Sequence, residues 1–319
     1  MRKPNLTKAF VVLLAAWLLS VPGSAWGEEA RGLESGTRLI ERVAKPADKR
    51  LPEISFFLLL PEGLAEGESP RGVLAYCTWE DSAEDIRTNL GGGVGDITSR
   101  RMVGYARGRK LAVLTWTAER TWDSRLSADE IERREAQWRD ELFTLLSREW
   151  RGMAGRLSAT YGLPKDGWLL FGISRGAQWA HRLALREPRF FKAVHIAINS
   201  SYDEPSRGAA SVWWLATTGE LEVGYPAAQR WLRQCEALGY RIILRAAPNT
   251  GHAMTEADWE LGEKFFDFAL SGREWRNEYA GDLVNHVVVP ATRAESIPEG
   301  QRVWLPDRAV ARAYGRLAE

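Results

Sequence analysis

Short, almost wholly apolar runs alternate along this chain with longer segments of helical periodicity, and this alternation restricts the possible fold more than any other feature. The runs are rich in Val, Ile, Leu and aromatic residues, which is typical of strands buried on both faces of a parallel sheet. They are Ile54–Leu60, Gly72–Trp79, Leu111–Thr117, Trp168–Gly172, Ala193–Ile198, Val212–Thr217 and Arg241–Ala246. Because strands that alternate with helices form βαβ units, the pattern predicts an α/β fold with a doubly wound, mostly parallel sheet.

The segments between these runs carry helix signals. Ser127 and Glu130 form a capping box, in which the two side chains satisfy backbone N–H groups at the start of a helix. An apolar stripe follows at helical spacing, formed by Trp138, Leu142, Leu145, Met153 and Leu157. Three further helices are predicted over Ala177–Arg186, Ala227–Leu238 and Glu256–Leu270.

Residues 273–319 do not follow the alternation. They contain a possible strand at His286–Val289 and a short helical pattern at Ala309–Leu317. We expect a C-terminal extension that packs on the domain formed by residues 28–272, and a loosely ordered tail is the alternative.

Residues 1–27 have the character of a signal peptide. Arg2, Lys3 and Lys8 precede an apolar run over Ala9–Leu19, and small residues occupy the cleavage positions around Gly27. A membrane span needs roughly 20 apolar residues, so this run is too short for a stable anchor. We expect a secreted or periplasmic protein.

Charge and cysteine content exclude several classes of protein. The whole chain has a formal net charge of +1 and shows no basic cluster interleaved with aromatic residues, so we expect no nucleic-acid partner. Cys77 and Cys235 are the only two cysteines, which is too few for a disulfide framework. We expect two buried thiols, with one disulfide as the alternative.

A candidate nucleophile lies directly after the fourth apolar run. Gly172-Ile173-Ser174-Arg175-Gly176 matches G-x-S-x-G between a predicted strand and a predicted helix. Small residues at the motif's ends let strand and helix approach, and the sharp turn exposes the Ser174 hydroxyl near the positive end of the helix. An ordinary glycine-bounded turn is the alternative interpretation.

A serine hydroxyl needs a base to take its proton, and only four histidines are present. His181 lies on the helix after Ser174, His195 lies within a predicted buried strand, and His286 lies in the C-terminal extension. His252 follows the last strong strand, in a loop at the carboxyl end of the sheet where α/β ligand sites gather. His252 is therefore the candidate base.

The third group must be a carboxylate that accepts a hydrogen bond from the imidazole. The chain order of this arrangement is serine, acid, histidine, which places the acid between Ser174 and His252. Glu222, just after the penultimate strand, is the first candidate, and Glu220 and Asp203 stay open.

These motifs carry a resemblance. Over about residues 51–272 the chain resembles the α/β-hydrolase superfamily, in particular its exported esterases and polyester-depolymerase-like members, through G-I-S-R-G at 172–176, T-G-E-L-E at 218–222 and N-T-G-H at 249–252. The resemblance implies an eight-stranded type of sheet and a Ser-acid-His triad. That family usually has Gly-x-x-Asp at the acid, so Gly219 to Glu222 matches with Glu in place of Asp.

The same resemblance implies an oxyanion hole made by backbone N–H groups. One donor is Arg175, the residue after the serine. The family's usual His-Gly is replaced here by Tyr76-Cys77-Thr78-Trp79. Thr78 is the candidate second donor, with Cys77 and Trp79 as alternatives.

No metal-binding or phosphate-binding motif is present, so we expect no metal and no cofactor. The sequence predicts a serine hydrolase that cleaves a small-molecule or polymeric carboxylic ester through an acyl-enzyme. A serine peptidase and a non-catalytic exported binding protein on the same scaffold are the alternatives. Trp79, Trp116 and Trp122 lie near predicted strand ends and are candidate substrate contacts.

Overall fold

The computed structural model describes residues 28–32, 38–44, 53–64, 68–77, 82–90, 97–117 and 128–318. Its strands are β1 (Glu28–Gly32), β2 (Arg38–Ala44), β3 (Ile54–Leu60), β4 (Gly72–Cys77), β5 (Leu111–Thr117), β6 (Trp168–Ile173), β7 (Phe191–Ala197), β8 (Trp213–Gly219), β9 (Arg241–Ala247), β10 (Tyr279–Asp282), β11 (Val287–Pro290), β12 (Arg302–Leu305) and β13 (Arg316–Leu317). Its α-helices, within the described ranges, are α1 (Ala83–Leu90), α2 (Ile97–Arg107), α3 (Ala128–Tyr161), α4 (Arg175–Arg186), α5 (Tyr225–Ala237), α6 (Glu256–Leu270) and α7 (Arg308–Tyr314).

The main sheet has nine strands in the order β1-β2-β3-β5-β4-β6-β7-β8-β9. Strands β4 to β9 run parallel to one another, whereas β3 pairs antiparallel with β5, and β2 and β1 follow antiparallel at that edge. The register aligns Cys77 with Gly172 and Ile173 with Ala197. The carboxyl ends of the central strands therefore meet at one edge of the sheet. The predicted fold class, a doubly wound and mostly parallel sheet, is confirmed.

The central strands are buried along nearly their whole length, as their apolar composition predicts. Helix α3 packs an aromatic group against them. Trp150 is fully buried, and its ring contacts those of Trp116 and Trp168 at centroid distances of 5.0 and 5.7 Å. Burial of a tryptophan of this kind stabilises the fold by about 3–5 kcal/mol. This packing holds the central strands in place beneath the site.

The C-terminal residues form a second, four-stranded sheet in the order β12-β10-β11-β13. The predicted strand at His286–Val289 is β11, shifted by one residue, and the predicted helix is α7. Tyr314 and Val310 are fully buried and belong to the same apolar core as the main sheet. The extension is thus an ordered appendage.

The strand and helix boundaries differ from the predicted ones at a few points. Strand β4 ends at Cys77 rather than Trp79, and helices α4 and α5 begin two residues earlier than their apolar positions indicate. Strands β1, β2, β10, β12 and β13 and helices α1 and α2 were not predicted, because none of them contains a long apolar run or a strong helical stripe. Leu145, Met153 and Leu157 of the predicted stripe are buried on α3.

Two of the expectations about the fold concern residues that the structure does not describe. The signal peptide of residues 1–27 and the Ser127 side chain of the capping box lie outside the described ranges. Within those ranges, no helix combines the length and the apolar character needed to cross a bilayer. Both cysteines are described; Cys77 and Cys235 are buried thiols that are not joined to each other.

Candidate active site

Ser174 lies on the single-residue junction between strand β6 and helix α4. Its backbone has φ 54° and ψ −122°, a conformation that is rare for residues other than glycine. The Ser174 N–H donates to the Ala197 carbonyl at 2.9 Å, and the Ser174 carbonyl accepts from the Ala177 N–H at 3.0 Å. A backbone in such a region costs roughly 1–3 kcal/mol and persists only where its surroundings hold it. These hydrogen bonds hold the turn.

Gly172 makes this sharp turn possible. A Cβ atom at position 172 would lie 2.8 Å from the Ala180 Cβ and closer still to the Gly176 carbonyl oxygen. Both neighbours belong to α4, so any side chain at 172 would push the helix away from the strand. The small residues of the motif are therefore required by the packing of α4 on β6.

His252 lies in the loop between β9 and α6, and its imidazole faces Ser174. The distance from Ser174 Oγ to His252 Nε2 is 2.9 Å, which is within hydrogen-bonding range. The His252 side chain is 54% exposed. The two side chains thus meet at the carboxyl edge of one parallel sheet, as the sequence predicts.

Glu222 contacts the other nitrogen of the same ring. Its Oε2 lies 3.0 Å from His252 Nδ1, and its side chain is only 5% exposed. An ionised carboxylate accepts hydrogen bonds only, so Nδ1 carries the proton and Nε2 is left to accept from the Ser174 hydroxyl. The carboxylate therefore fixes the tautomer that a general base needs.

The loop that carries Glu222 is pressed against the loop that carries His252. The Leu221 N–H donates to the Thr250 carbonyl at 2.8 Å. A Cβ atom on Gly219 would overlap the carbonyl oxygens of Thr250 and Gly251. Only glycine at position 219 permits this approach, which brings the carboxylate within reach of the imidazole.

The two alternative carboxylates have other partners. Glu220 is exposed, and its carboxylate accepts from the backbone N–H of Asn249 at 3.2 Å. Asp203 pairs with the guanidinium of Arg182, whose Nε lies 3.1 and 3.0 Å from the two carboxylate oxygens. Among these three candidates, the structure brings Glu222 to His252.

The other three histidines are placed differently. Burial lowers the pKa of His181 and of His195 to about 3, so both imidazoles are neutral in the folded protein. His195 Nε2 lies 2.8 Å from the Thr217 hydroxyl, whereas neither ring nitrogen of His181 has a hydrogen-bond partner. His286 lies in the C-terminal sheet, between β10 and β11. His252 is the histidine that contacts the serine.

The predicted oxyanion hole is described only in part. Arg175 is the first residue of α4, so its backbone N–H lies at the positive end of the helix, next to Ser174. Thr78 and Trp79 lie outside the described ranges. Cys77, the last residue of strand β4, lies beside Gly172 and therefore next to the serine turn.

Two features of the site carry no recognisable sequence signal. Ile198 and Asn249 follow β7 and β9 and have positive φ angles of 55° and 52°. The left-handed conformation is common for asparagine but rare for a β-branched residue, so Ile198 and Ser174 are the two strained positions at this edge of the sheet. The side chains beside Glu222 are also unusual, because Leu221 is 68% exposed and Val223 is 84% exposed.

One candidate substrate contact is wrong. Trp116 is 2% exposed and packs on Trp150 in the core, because β5 is covered by α3. Trp79 and Trp122 lie outside the described ranges. In the described part of the chain, no group of three or more His, Cys, Asp or Glu residues is placed to hold a metal ion.

By sequence, the chain matches no protein-family profile and no curated protein. Its structure is similar to that of acetyl xylan esterase 1 from Thermoanaerobacterium sp. JW/SL YS485, with a TM-score of 0.51 and 13% identity over 84% of this chain and 94% of the other. Weaker similarities link it to an esterase from Rhizomucor miehei (TM-score 0.49, 10% identity, 85% and 92% coverage). An S-formylglutathione hydrolase from Agrobacterium tumefaciens has a TM-score of 0.48 at 12% identity, with 77% and 98% coverage. Taken with the strand order and the serine turn, the first of these similarities shows that this chain has the α/β-hydrolase fold.

Proposed function

We propose that this protein is a serine hydrolase that cleaves a carboxylic ester through an acyl-enzyme on Ser174. The observation that carries the proposal is the continuous series of contacts from Ser174 through His252 to Glu222, at 2.9 and 3.0 Å. An ester is favoured over an amide because the acetyl xylan esterase that shares the fold is an esterase by name.

The acylation step follows from the geometry of the three side chains. His252 Nε2 takes the proton of the Ser174 hydroxyl while Oγ attacks the ester carbonyl carbon, whose π electrons move to the carbonyl oxygen. The resulting oxyanion lies near the Arg175 N–H, and each such donor contributes roughly 3 kcal/mol to stabilising the transition state. The intermediate collapses, the alkoxide leaves, and His252 gives it the proton.

Deacylation repeats the sequence with water. His252 Nε2 takes a proton from a water molecule that attacks the acyl carbon, and the Ser174 oxygen leaves with that proton. Because the His252 side chain is 54% exposed, water can approach the imidazole from the solvent and the alcohol can leave in the same direction. The buried carboxylate of Glu222 stabilises the imidazolium in both steps.

Hydrolysis of a p-nitrophenyl acyl ester, compared with that of a peptide p-nitroanilide, tests the reaction type. We expect the ester to be cleaved faster, and Ser174→Ala to lower kcat by roughly 10⁶-fold. Ser271→Ala, at the end of α6, is the matched control and should retain full activity. Faster cleavage of the anilide would instead identify a peptidase.

Reaction with a fluorophosphonate probe separates an enzyme from a binding protein on the same scaffold, since only an activated serine reacts. We expect the intact protein to be labelled at Ser174 and the Ser174→Ala variant not to be labelled. An intact, folded protein that is not labelled would rule out the proposed nucleophile.

The proposed site of action is outside the cytoplasm, on a small-molecule or polymeric ester. The basic start and short apolar run of residues 1–27 support this proposal. N-terminal sequencing of the exported protein is expected to begin near residue 28. A mature protein that retains residues 1–27 would contradict the export signal.

A further inference from the structure

The loop that carries His252 runs from the end of β9 to the start of α6. Thr255 is the last residue of this loop. Thr255 is the N-cap of α6: its hydroxyl accepts from the Asp258 N–H at 3.3 Å. In return, Asp258 Oδ2 accepts from the Thr255 N–H at 2.8 Å and from its hydroxyl at 2.7 Å. This capping box fixes the direction in which the chain leaves the histidine loop.

The other carboxylate oxygen of Asp258 reaches back to the strand where the loop begins. Asp258 Oδ1 accepts from Arg245 Nη1 at 2.5 Å, and the two side chains are 1% and 9% exposed. Arg245 lies on β9, near its end at Ala247. One buried carboxylate therefore connects the two ends of the loop that holds His252.

The C-terminal region completes this arrangement. The Tyr314 carbonyl, at the end of α7, accepts from Arg245 Nε at 3.3 Å. This contact is made to β9 just before the loop, so the C-terminal region supports the strand from which His252 is presented.

We propose that Asp258 is a positioning residue, and that through Arg245 it uses the C-terminal region to set His252 against Ser174. The proposal rests on the proposed function, because it assigns these residues a role in placing the general base. A buried ion pair is a weak source of stability by itself, so the role of this pair is assigned from its position between the two ends of the histidine loop. Displacement of a catalytic group by about 1 Å lowers activity by as much as ~10²-fold.

Asp258→Asn tests the proposal, because asparagine keeps the size of the side chain and loses one of the two acceptors. With the active sites counted by fluorophosphonate labelling, we expect kcat per site to fall about tenfold or more and KM for the p-nitrophenyl ester to change by less than about twofold. A merely structural role would lower the number of active sites and leave kcat per site unchanged.

Asp267→Asn is the matched control. Asp267 lies on the same helix and pairs with Arg109, in the turn that follows α2, at 2.5 and 2.9 Å, away from the histidine loop. We expect it to leave kcat per site within about twofold of wild type, since its pair holds no part of the site. An equal loss of kcat in Asp267→Asn would overturn the assignment.

Thr255→Val is the second variant, in case Asp258→Asn does not fold. It keeps the buried ion pair and removes only the hydroxyl of the cap, and it should also lower kcat per site without raising KM. Unchanged kcat per site in folded Thr255→Val would contradict the proposal as directly as it would in Asp258→Asn.

The low-field ¹H NMR resonance of the His252 Nδ1 proton gives a readout that does not require turnover. We expect wild type and Asp267→Asn to share its position, and Asp258→Asn or Thr255→Val to shift or broaden it. A protein without esterase activity that still shows this pattern would refute the proposed function while supporting the positioning role. Identical resonances in all variants would refute the positioning role.

Discussion

Glu222 reaches the imidazole because its side chain turns inward while its neighbours Leu221 and Val223 remain exposed. In the family that this chain resembles, aspartate is usual at this position. Glutamate is longer by one methylene, and here the extra length is accommodated with the carboxylate 5% exposed. At the residue scale, the direction of one side chain decides which of the nearby carboxylates contacts the His252 ring.

Replacement of Glu222 by glutamine should lower kcat by up to about 10⁴-fold, because an amide can present its NH₂ group to Nδ1 and favour the wrong tautomer. Steady-state ester hydrolysis measures this. Glu220→Gln, in the same loop, is the matched control, and we expect a change of less than about threefold. The reverse ranking of the two variants would reassign the acid to Glu220.

At the scale of elements, the strand and helix pattern predicts the position of the serine and the histidine. Both follow directly from where β6 and β9 end, so apolar runs and one turn motif are enough to identify them. The choice between Glu222 and Glu220 depends on side-chain direction within a single loop, which the strand pattern does not determine. The positive φ of Ile198 is imposed by packing and hydrogen bonding at the sheet edge, because an isoleucine has no local preference for it.

Strands β1 and β2 also show what an apolar pattern cannot predict. The β1 sequence, Glu-Glu-Ala-Arg-Gly, has no continuous apolar run, and the strand lies at the edge of the sheet. Edge strands are commonly polar, so they resemble loops when periodicity is the only guide. Strands with a continuous apolar run were predictable, including β9 at the opposite edge of the sheet, whereas strands without one were not.

Gly172→Ala should abolish activity and destabilise the protein, because the new methyl group would overlap α4 near Gly176 and Ala180. Gly104→Ala on α2 is the control: its Cβ would meet nothing within 4 Å. A helical Gly→Ala change of this kind stabilises by about 0.5–1 kcal/mol. Thermal unfolding and ester hydrolysis of both variants check this. An active, stable Gly172→Ala variant would contradict the close packing of the turn.

At the scale of the whole molecule, the two sheets share one apolar core. Val288, Val303 and Tyr314 of the C-terminal region are fully buried together with residues of the main sheet. The same core encloses the imidazoles of His181 and His195. Because burial lowers the pKa of each to about 3, neither is protonated in the folded protein until the solution is strongly acidic. The stability of the molecule is therefore linked to pH through groups that lie away from the active site.

Stability should fall as pH decreases below about 6.5, the pKa of an unfolded histidine, and continue to fall toward pH 3. In that window the unfolded chain binds protons that the folded chain excludes, so each buried histidine contributes a slope of about 1.4 kcal/mol per pH unit. His181→Phe removes one such site without losing a hydrogen bond, since neither ring nitrogen has a partner. Denaturant unfolding at pH 7 and pH 5 should show a smaller loss for the variant; equal losses would show that His181 does not cause the acid sensitivity.

The half-exposed ring of His252 has a chemical consequence. His181 and His195 are at most 1% exposed, and His286 is only partly exposed with its Nε2 buried, so the ring of His252 is the imidazole most open to an electrophile in the medium. Carbethoxylation with diethyl pyrocarbonate should therefore stop turnover at one modified histidine per chain. A competing ester or a serine-bound phosphonate should cover that ring and slow its carbethoxylation. The rate of carbethoxylation therefore measures the fraction of active sites that are occupied.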